Sequence, residues 1–257
     1  MVVGKEKDGG VIDYSFMKDL IAGYNAPESA RIEGHFKRLL PHLESEKFVI
    51  VGGLAIQFQL KHRAVNYPKR KFNDLDIVLE SADVLLPTIT DKMLVSHHHI
   101  EGSGHYFALV DPETRTKIDV FNSDFYPYRY DYANFNGVQL RVQSLEDQLV
   151  KTIYDIQRIS SEAKVDPKQF NDAELMMGVA DINLANENWQ KRQIGQYPTN
   201  IMDAWRRAKI IRQQHPDWIV ISPFKKDIPG NCPECIDDPK FPLADKSEIF
   251  SILEVYE

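Results

Sequence analysis

The chain has 257 residues, with 31 Lys and Arg against 38 Asp and Glu, for a formal net charge of -7. That length holds one large domain or two small ones around a real core, while the acidic balance disfavours tight, nonspecific binding along nucleic-acid duplexes, which needs a basic surface. No window is long and apolar enough to span a membrane, two cysteines make no disulfide framework, and residues 1–8 carry no signal-peptide pattern, so a cytoplasmic protein is expected.

Residues 1–10 are polar and read as loose. Val11 to Ala22 predicts a short helix. Pro27-Glu28-Ser29 opens a second, to about Glu44, with Ile32, Phe36, Leu39 and Leu40 on one side at helical spacing. Phe48 to Val51 is an unbroken apolar run, the pattern of a buried strand. Gly52-Gly53 follows, and then a helix over Leu54 to Lys61. Most glycine pairs are only turns. Between a strand and a helix, however, a pair lets the backbone approach a ligand closely, and the helix N-terminus behind it favours phosphate. The next stretch, Lys61 to Lys71, is basic. Arg63, Lys69, Arg70 or Lys71 would hold a triphosphate or steer a polyanionic acceptor; the alternative is a solvated loop.

Asn73 to Leu79 reads as a strand. Side chains alternate with period two, so Asp74 and Asp76 share one face while Leu75, Ile77 and Leu79 face the core. Leu94 to Ile100 is expected to be an edge strand, because adjacent residues such as His97, His98 and His99 do not easily converge on one metal ion. Gly102-Ser103-Gly104 is a turn or a lid. His105 to Val110 and Lys117 to Phe121 form a hairpin across the turn Asp111-Pro112-Glu113-Thr114, with Asp119 on the face of Lys117 and Phe121. Three carboxylates on one sheet face repel each other unless hard, oxygen-seeking cations such as Mg2+ neutralise them.

The aromatic run from Phe121 to Phe135 would stack a nucleobase or form a loop packed over the core. Asn136-Gly137 then turns the chain into a short strand, Val138 to Val142. Ser144 is an N-cap for a long helix with Asp147 at the capping-box position and an apolar stripe of Leu149, Ile153 and Ile156. Helices are expected over 167–184 and 199–214. Trp205, Arg206, Arg207, Lys209 and Arg212 give the last one a basic face, either solvated or touching an RNA acceptor. Cys232 and Cys235 form one C-x-x-C, which is half a zinc site. His215, Asp237 or Asp238 would have to complete it; otherwise the segment is a plain turn.

Gly52-Gly53-Leu54-Ala55, the pair Asp74-Leu75-Asp76 and Asp119 in Lys-Ile-Asp-Val-Phe together resemble the DNA polymerase β-like nucleotidyltransferase superfamily. The resemblance covers roughly residues 46–122. It is nearest to the minimal, stand-alone enzymes of the abortive-infection toxin type, which share the Gly-Gly-x-Ala motif, a basic stretch before the Asp pair and a helical C-terminal part. Those relatives often carry Ser or Thr just before the Asp pair, where this chain has Phe72-Asn73.

The resemblance implies an α+β (α/β) fold. N-terminal helices would occupy 1–45, a mixed-sheet nucleotidyltransferase core 46–143, and a helical region with a short tail 144–257. It implies transfer of a nucleoside monophosphate from a nucleoside triphosphate such as ATP to an acceptor hydroxyl, on an RNA or tRNA 3′ end, a protein or a small molecule, with release of pyrophosphate. Asp74, Asp76 and Asp119 would be catalytic and hold two Mg2+ ions, or Mn2+. Gly52, Gly53, Arg70, Lys71 and Lys151 would bind the nucleotide. For Lys151 the alternative is a surface pair four residues apart on its helix. The alternative from another class is an inactive nucleotide-binding or partner-binding protein on the same fold.

Overall fold

The computed structural model describes residues 4–5, 11–12, 18–44, 46–67, 71–72, 74–101, 104–122, 127, 129–157, 167–192, 198–216, 235–236 and 238–253. In chain order these form β1 (Gly4–Lys5), β2 (Val11–Ile12), β3 (Lys18–Asp19), α1 (Ala26–Leu39), β4 (Phe48–Val51), α2 (Gly52–His62), β5 (Asp74–Leu79), β6 (Leu94–Glu101), β7 (Gly104–Asp111), β8 (Thr116–Phe121), β9 (Tyr130–Phe135), β10 (Val138–Gln143), α3 (Leu145–Gln157), α4 (Pro167–Met177), α5 (Ile182–Arg192), α6 (Ile201–Gln214) and α7 (Lys246–Leu253). The class is mixed α/β. β3 to β10 make one mixed sheet in the order β3-β9-β10-β4-β5-β8-β7-β6.

One face of this sheet is the core. Phe48, Ile50, Leu75, Ile77, Ile118, Val120, Leu140 and Val142 meet Ile32, Phe36 and Leu39 of α1 and Leu54, Ala55 and Phe58 of α2. α1 starts where its sequence predicts. The Asn25 side chain caps it by accepting from Glu28 N–H at 2.9 Å, with a proline in the first turn. α2 is buried along Leu54 to Leu60, on every side, with Gln57 and Gln59 hydrogen-bonded to Tyr24 and Asp131. Ile56 and Leu60 on its other flank enter a second core with Leu149, Ile153 and Ile156 of α3, Phe170 of α4, Trp189 of α5 and Ala204 of α6. α2 therefore joins the sheet to the C-terminal bundle.

Three expectations need correction. The helix expected over Val11 to Ala22 is absent among its described residues. Val11–Ile12 pairs with β1, and Lys18 and Asp19 align parallel to Ala133 and Asn134 of β9. Backbone pairing decided that segment, with the neighbouring β1 in the first case and with the distant β9 in the second, not helical periodicity. The single helix expected over 167–184 breaks after Met177, and the new helix α5 runs on to Arg192; Asp181 starts it by accepting from Asn183 and Leu184 N–H. The second half of the aromatic run, Tyr130 to Phe135, is a strand and not a loop.

β6 lies at the sheet edge, as the sequence suggests. His98 stacks on Phe107 with ring centroids 4.2 Å apart, and His97 Nδ1 lies 3.3 Å from Cys235 Sγ. Cys232 lies outside the described residues, as do Asp237 and residues 102–103. The tail dresses this edge. Ile236 and Ala244 donate to the His98 and Val95 carbonyls, and Ile249 of α7 packs with Val110. An exposed edge strand is open to pairing with another chain, and the tail blocks that. No helix of the described residues is long and apolar enough to cross a membrane.

Candidate active site

The sheet's other face holds the candidate site. Val51 of β4 lies opposite Asp76 of β5, Asp76 opposite Asp119 of β8, and Asp74 opposite Lys117. The two Asp residues predicted to share a face do so, and parallel pairing of β5 with β8 brings the third beside them. The segment entering β5 is tied to α1: Phe72 N–H donates to Glu28 Oε2 at 3.2 Å, and the Arg31 guanidinium lies 5.6 Å from the Phe72 ring centre.

Gly52 is required twice over. Its φ is +64°, a region that L side chains rarely adopt. A Cβ there would also stand 1.9 Å from Asp76 Oδ2 and 2.9 Å from Asp76 Cβ. The backbone that starts α2 thus passes directly against the central carboxylate. Gly53 differs, because a Cβ on it would meet nothing among the described residues within 4 Å.

A cavity of about 280 Å³ opens between this sheet face and the helices α3 and α4. Its lining includes Gly52, Gly53, Asp76, Gln143, Lys151 and Lys168. Burial, then the neighbouring Asp74 and Asp119, push the Asp76 carboxyl up to about 7, with Lys117 and Lys168 opposing. Asp119 is held by Lys117 Nζ at 3.0 Å. Lys151 lines the cavity and pairs with Asp155, four residues on along α3, at 2.6 Å. Lys71 is exposed and is not part of that lining; Arg70 lies outside the described residues.

A metal ion can be tested against these groups. The donors are all carboxylate oxygens, the chemistry a hard cation prefers, and the raised Asp76 marks a place short of positive charge. Against this, no three His, Cys, Asp or Glu side chains among the described residues converge closely enough to hold an ion together. The Lys117 ammonium takes up part of Asp119's charge, and a bound cation would have to compete with it. The residues fit the cation in kind, and Asp119 would have to leave Lys117 to complete its shell.

Several lining residues escaped the sequence, Lys168 and Gln143 among them. Lys168 follows Pro167 at the start of α4 with no motif around it. Gln143 ends β10, and only the pairing of β10 with β4 brings it to the cavity. Asp147, predicted at the capping-box position, donates its backbone N–H to Ser144 Oγ at 3.2 Å. Its side chain is buried with Gln143 and Arg192 and does not line the cavity.

No family model matches the chain, and no curated protein matches it in sequence. Among solved structures it is similar to an antigenic nucleotidyltransferase-like protein from Paracoccidioides brasiliensis, at 15% identity over 75% of this chain and 90% of that one, with a TM-score of 0.39. It is also similar to the antibiotic-resistance factor ANT(2'')-Ia, at 13% identity over 76% and 99%, TM-score 0.45. A third is the Megavirus polyadenylate synthase, at 13% identity over 82% and 46%, TM-score 0.37. A likeness this distant concerns fold and says nothing of this chain's chemistry.

Proposed function

We propose that the chain is a nucleotidyltransferase. It would move a nucleoside monophosphate from a nucleoside triphosphate to an acceptor hydroxyl and release pyrophosphate. The observation that carries this reading is the row of carboxylates set against a left-handed glycine at a helix N-terminus, with Asp76 pushed up to about 7.

In this reading Asp74, Asp76 and Asp119 hold Mg2+, or Mn2+. When bound, the cations lower the pKa of the attacking hydroxyl and stabilise charge on the leaving pyrophosphate. The chain's own groups do the rest. The first N–H groups of α2 have no partner within the helix and are aimed at phosphate oxygens. Lys151 leaves Asp155 to neutralise the triphosphate, and Lys168 faces it from α4. Asp119, released from Lys117, receives the proton of the acceptor hydroxyl. The new bond joins that oxygen to the α-phosphorus; the α–β bridging bond breaks, and the electron pair leaves with pyrophosphate. Lys71, exposed and not part of the cavity lining, would steer a polyanionic acceptor such as an RNA end, together with Arg70 next to it in sequence.

The test is label transfer. The protein is incubated with each of the four α-labelled nucleoside triphosphates and Mg2+, with cellular RNA, with protein extract or alone. Label should move to one acceptor class and vanish in Asp74→Ala/Asp76→Ala. No transfer, with no Mg2+-triphosphate binding by thermal shift, would overturn the reading. The ion pairs Lys117–Asp119 and Lys151–Asp155 favour a second reading, a nucleotide-binding protein without turnover. It predicts binding in the thermal-shift arm and no transfer.

A further inference from the structure

Gln143 lines the cavity, is buried, and has no role in the reaction above. Its side-chain amide is fixed at one corner. Nε2 donates to Asp147 Oδ2 at 2.6 Å, and Arg192 donates to the same oxygen at 3.2 Å. An ionised carboxylate only accepts. The amide nitrogen must therefore face Asp147, and the amide oxygen must face away from it. That oxygen, Oε1, is buried and has no hydrogen-bond partner among the described residues. Buried acceptors are nearly always paired, and an unpaired one marks a place where something else belongs.

Its position says what belongs there. β10 runs parallel to β4 with Val142 level with Ile50, and one more step of that register sets Gln143 level with Val51. Val51 is level with Asp76, and Asp76 with Asp119. The four residues form a row across the open face. With strands about 4.8 Å apart, Gln143 lies roughly 10 Å from Asp76, on the side away from Asp119. The acceptor hydroxyl is assigned to the Asp119 end. The phosphates are assigned to the α2 N-terminus, Lys151 and Lys168, and an amide oxygen repels phosphate oxygens. What remains for Gln143 is a hydrogen-bond donor on the nucleoside, which hangs from the α-phosphate at about that reach.

We propose that Gln143 Oε1 recognises the nucleoside of the triphosphate by accepting a hydrogen bond from a ribose hydroxyl or a base N–H. Asp147 is the positioning residue that turns the amide to do so. The assignment rests on the nucleotidyltransferase reading. It makes Gln143 a determinant of substrate choice and leaves the chemistry to the carboxylates.

Calorimetry with Mg2+ tests it on the full chain. The ligands are the best-bound nucleoside triphosphate, inorganic tripolyphosphate, the 2′-deoxy and 3′-deoxy triphosphates, and an analogue lacking the base N–H. The proteins are wild type and Gln143→Met, which keeps the side chain's length and removes the acceptor. The variant should bind the nucleotide about tenfold more weakly, the effect of one buried hydrogen bond, and tripolyphosphate unchanged. One analogue should lose the same factor against wild type and nothing further against the variant, and that analogue names the donor. Equal nucleotide binding by variant and wild type would overturn the assignment. So would analogues that all bind wild type as well as the natural nucleotide, an outcome that needs no folded variant. If wild type binds neither nucleotide nor tripolyphosphate, the nucleotidyltransferase reading falls, and this assignment with it.

Discussion

Asp76 and Asp111 are the same chemical group on the same sheet, and the fold treats them in opposite ways. Asp111, at the end of β7, is buried, and burial alone would raise its carboxyl. It lies below its ordinary value instead, because His35 and Thr114 hydrogen-bond to it and the Glu113 N–H does too. His35 Nδ1 is 3.0 Å from one oxygen and Arg38 Nε 3.0 Å from the other. At Asp76 burial, and then two neighbouring carboxylates, push the carboxyl up to about 7 against the pull of Lys117 and Lys168. One acid is surrounded by partners and ties α1 to the β7–β8 turn. The other is buried beside two like charges that Lys117 and Lys168 only partly offset, which folding alone does not favour.

The comparison can be broken in several ways. The largest effect expected is on turnover: Asp74→Ala/Asp76→Ala should reduce label transfer to background while the protein melts no lower than wild type without metal. A melting temperature well below wild type would mean that these acids serve the fold.

Next comes Gly52→Ala. A side chain there must adopt a left-handed backbone, which costs about 1–2 kcal/mol, and must displace Asp76. Transfer should drop at least about a hundredfold, the penalty for misplacing a reacting group by roughly an ångström. An active Gly52→Ala variant would show that the close approach to Asp76 is incidental.

Asp111→Ala should do the reverse. Removing one partner of a buried charged cluster costs about 3–5 kcal/mol, read as a lower denaturation midpoint in urea. Activity per folded molecule should stay near wild type.

The pH dependence should separate the two acids further. Asp76 has a raised folded pKa. Its contribution is present below the ordinary 3.8 and is lost as pH rises through about 7. With a chelator, the melting temperature should therefore fall across that interval, and Mg2+ added at pH 8 should restore it. Asp111 has a lowered folded pKa, so its contribution is present above 3.8 and is lost as pH falls below that. His35, lowered by burial against the pull of Asp111, adds a loss of stability as pH falls below its ordinary 6.5. In Asp76→Asn the alkaline fall should disappear and the acid fall should remain; a surviving alkaline fall would place its origin elsewhere.

The smallest effect is expected at Gly53→Ala, which meets open space. Stability should change by no more than about 1 kcal/mol, and in the helix the change should favour the alanine.

The pattern Phe48 to Val51, Gly52-Gly53 and Asp74-Leu75-Asp76 settled by itself a strand, a strand-to-helix turn and two carboxylates on one strand face. Period-two alternation and the freedom of glycine are local properties, so they can be read before any fold is known. The same holds for the Ser144 cap, which satisfies an N–H group three residues away. Only the tertiary structure decided that β5 runs parallel to β8, so that Asp119 stands opposite Asp76. It also decided that β10 carries Gln143 to the same row, and that Lys168 reaches the cavity from a helix with no motif. Lys18–Asp19 became a strand for the same reason, through its partner in β9. Strand pairing satisfies backbone groups between segments far apart in sequence, and no local period records which segments will meet.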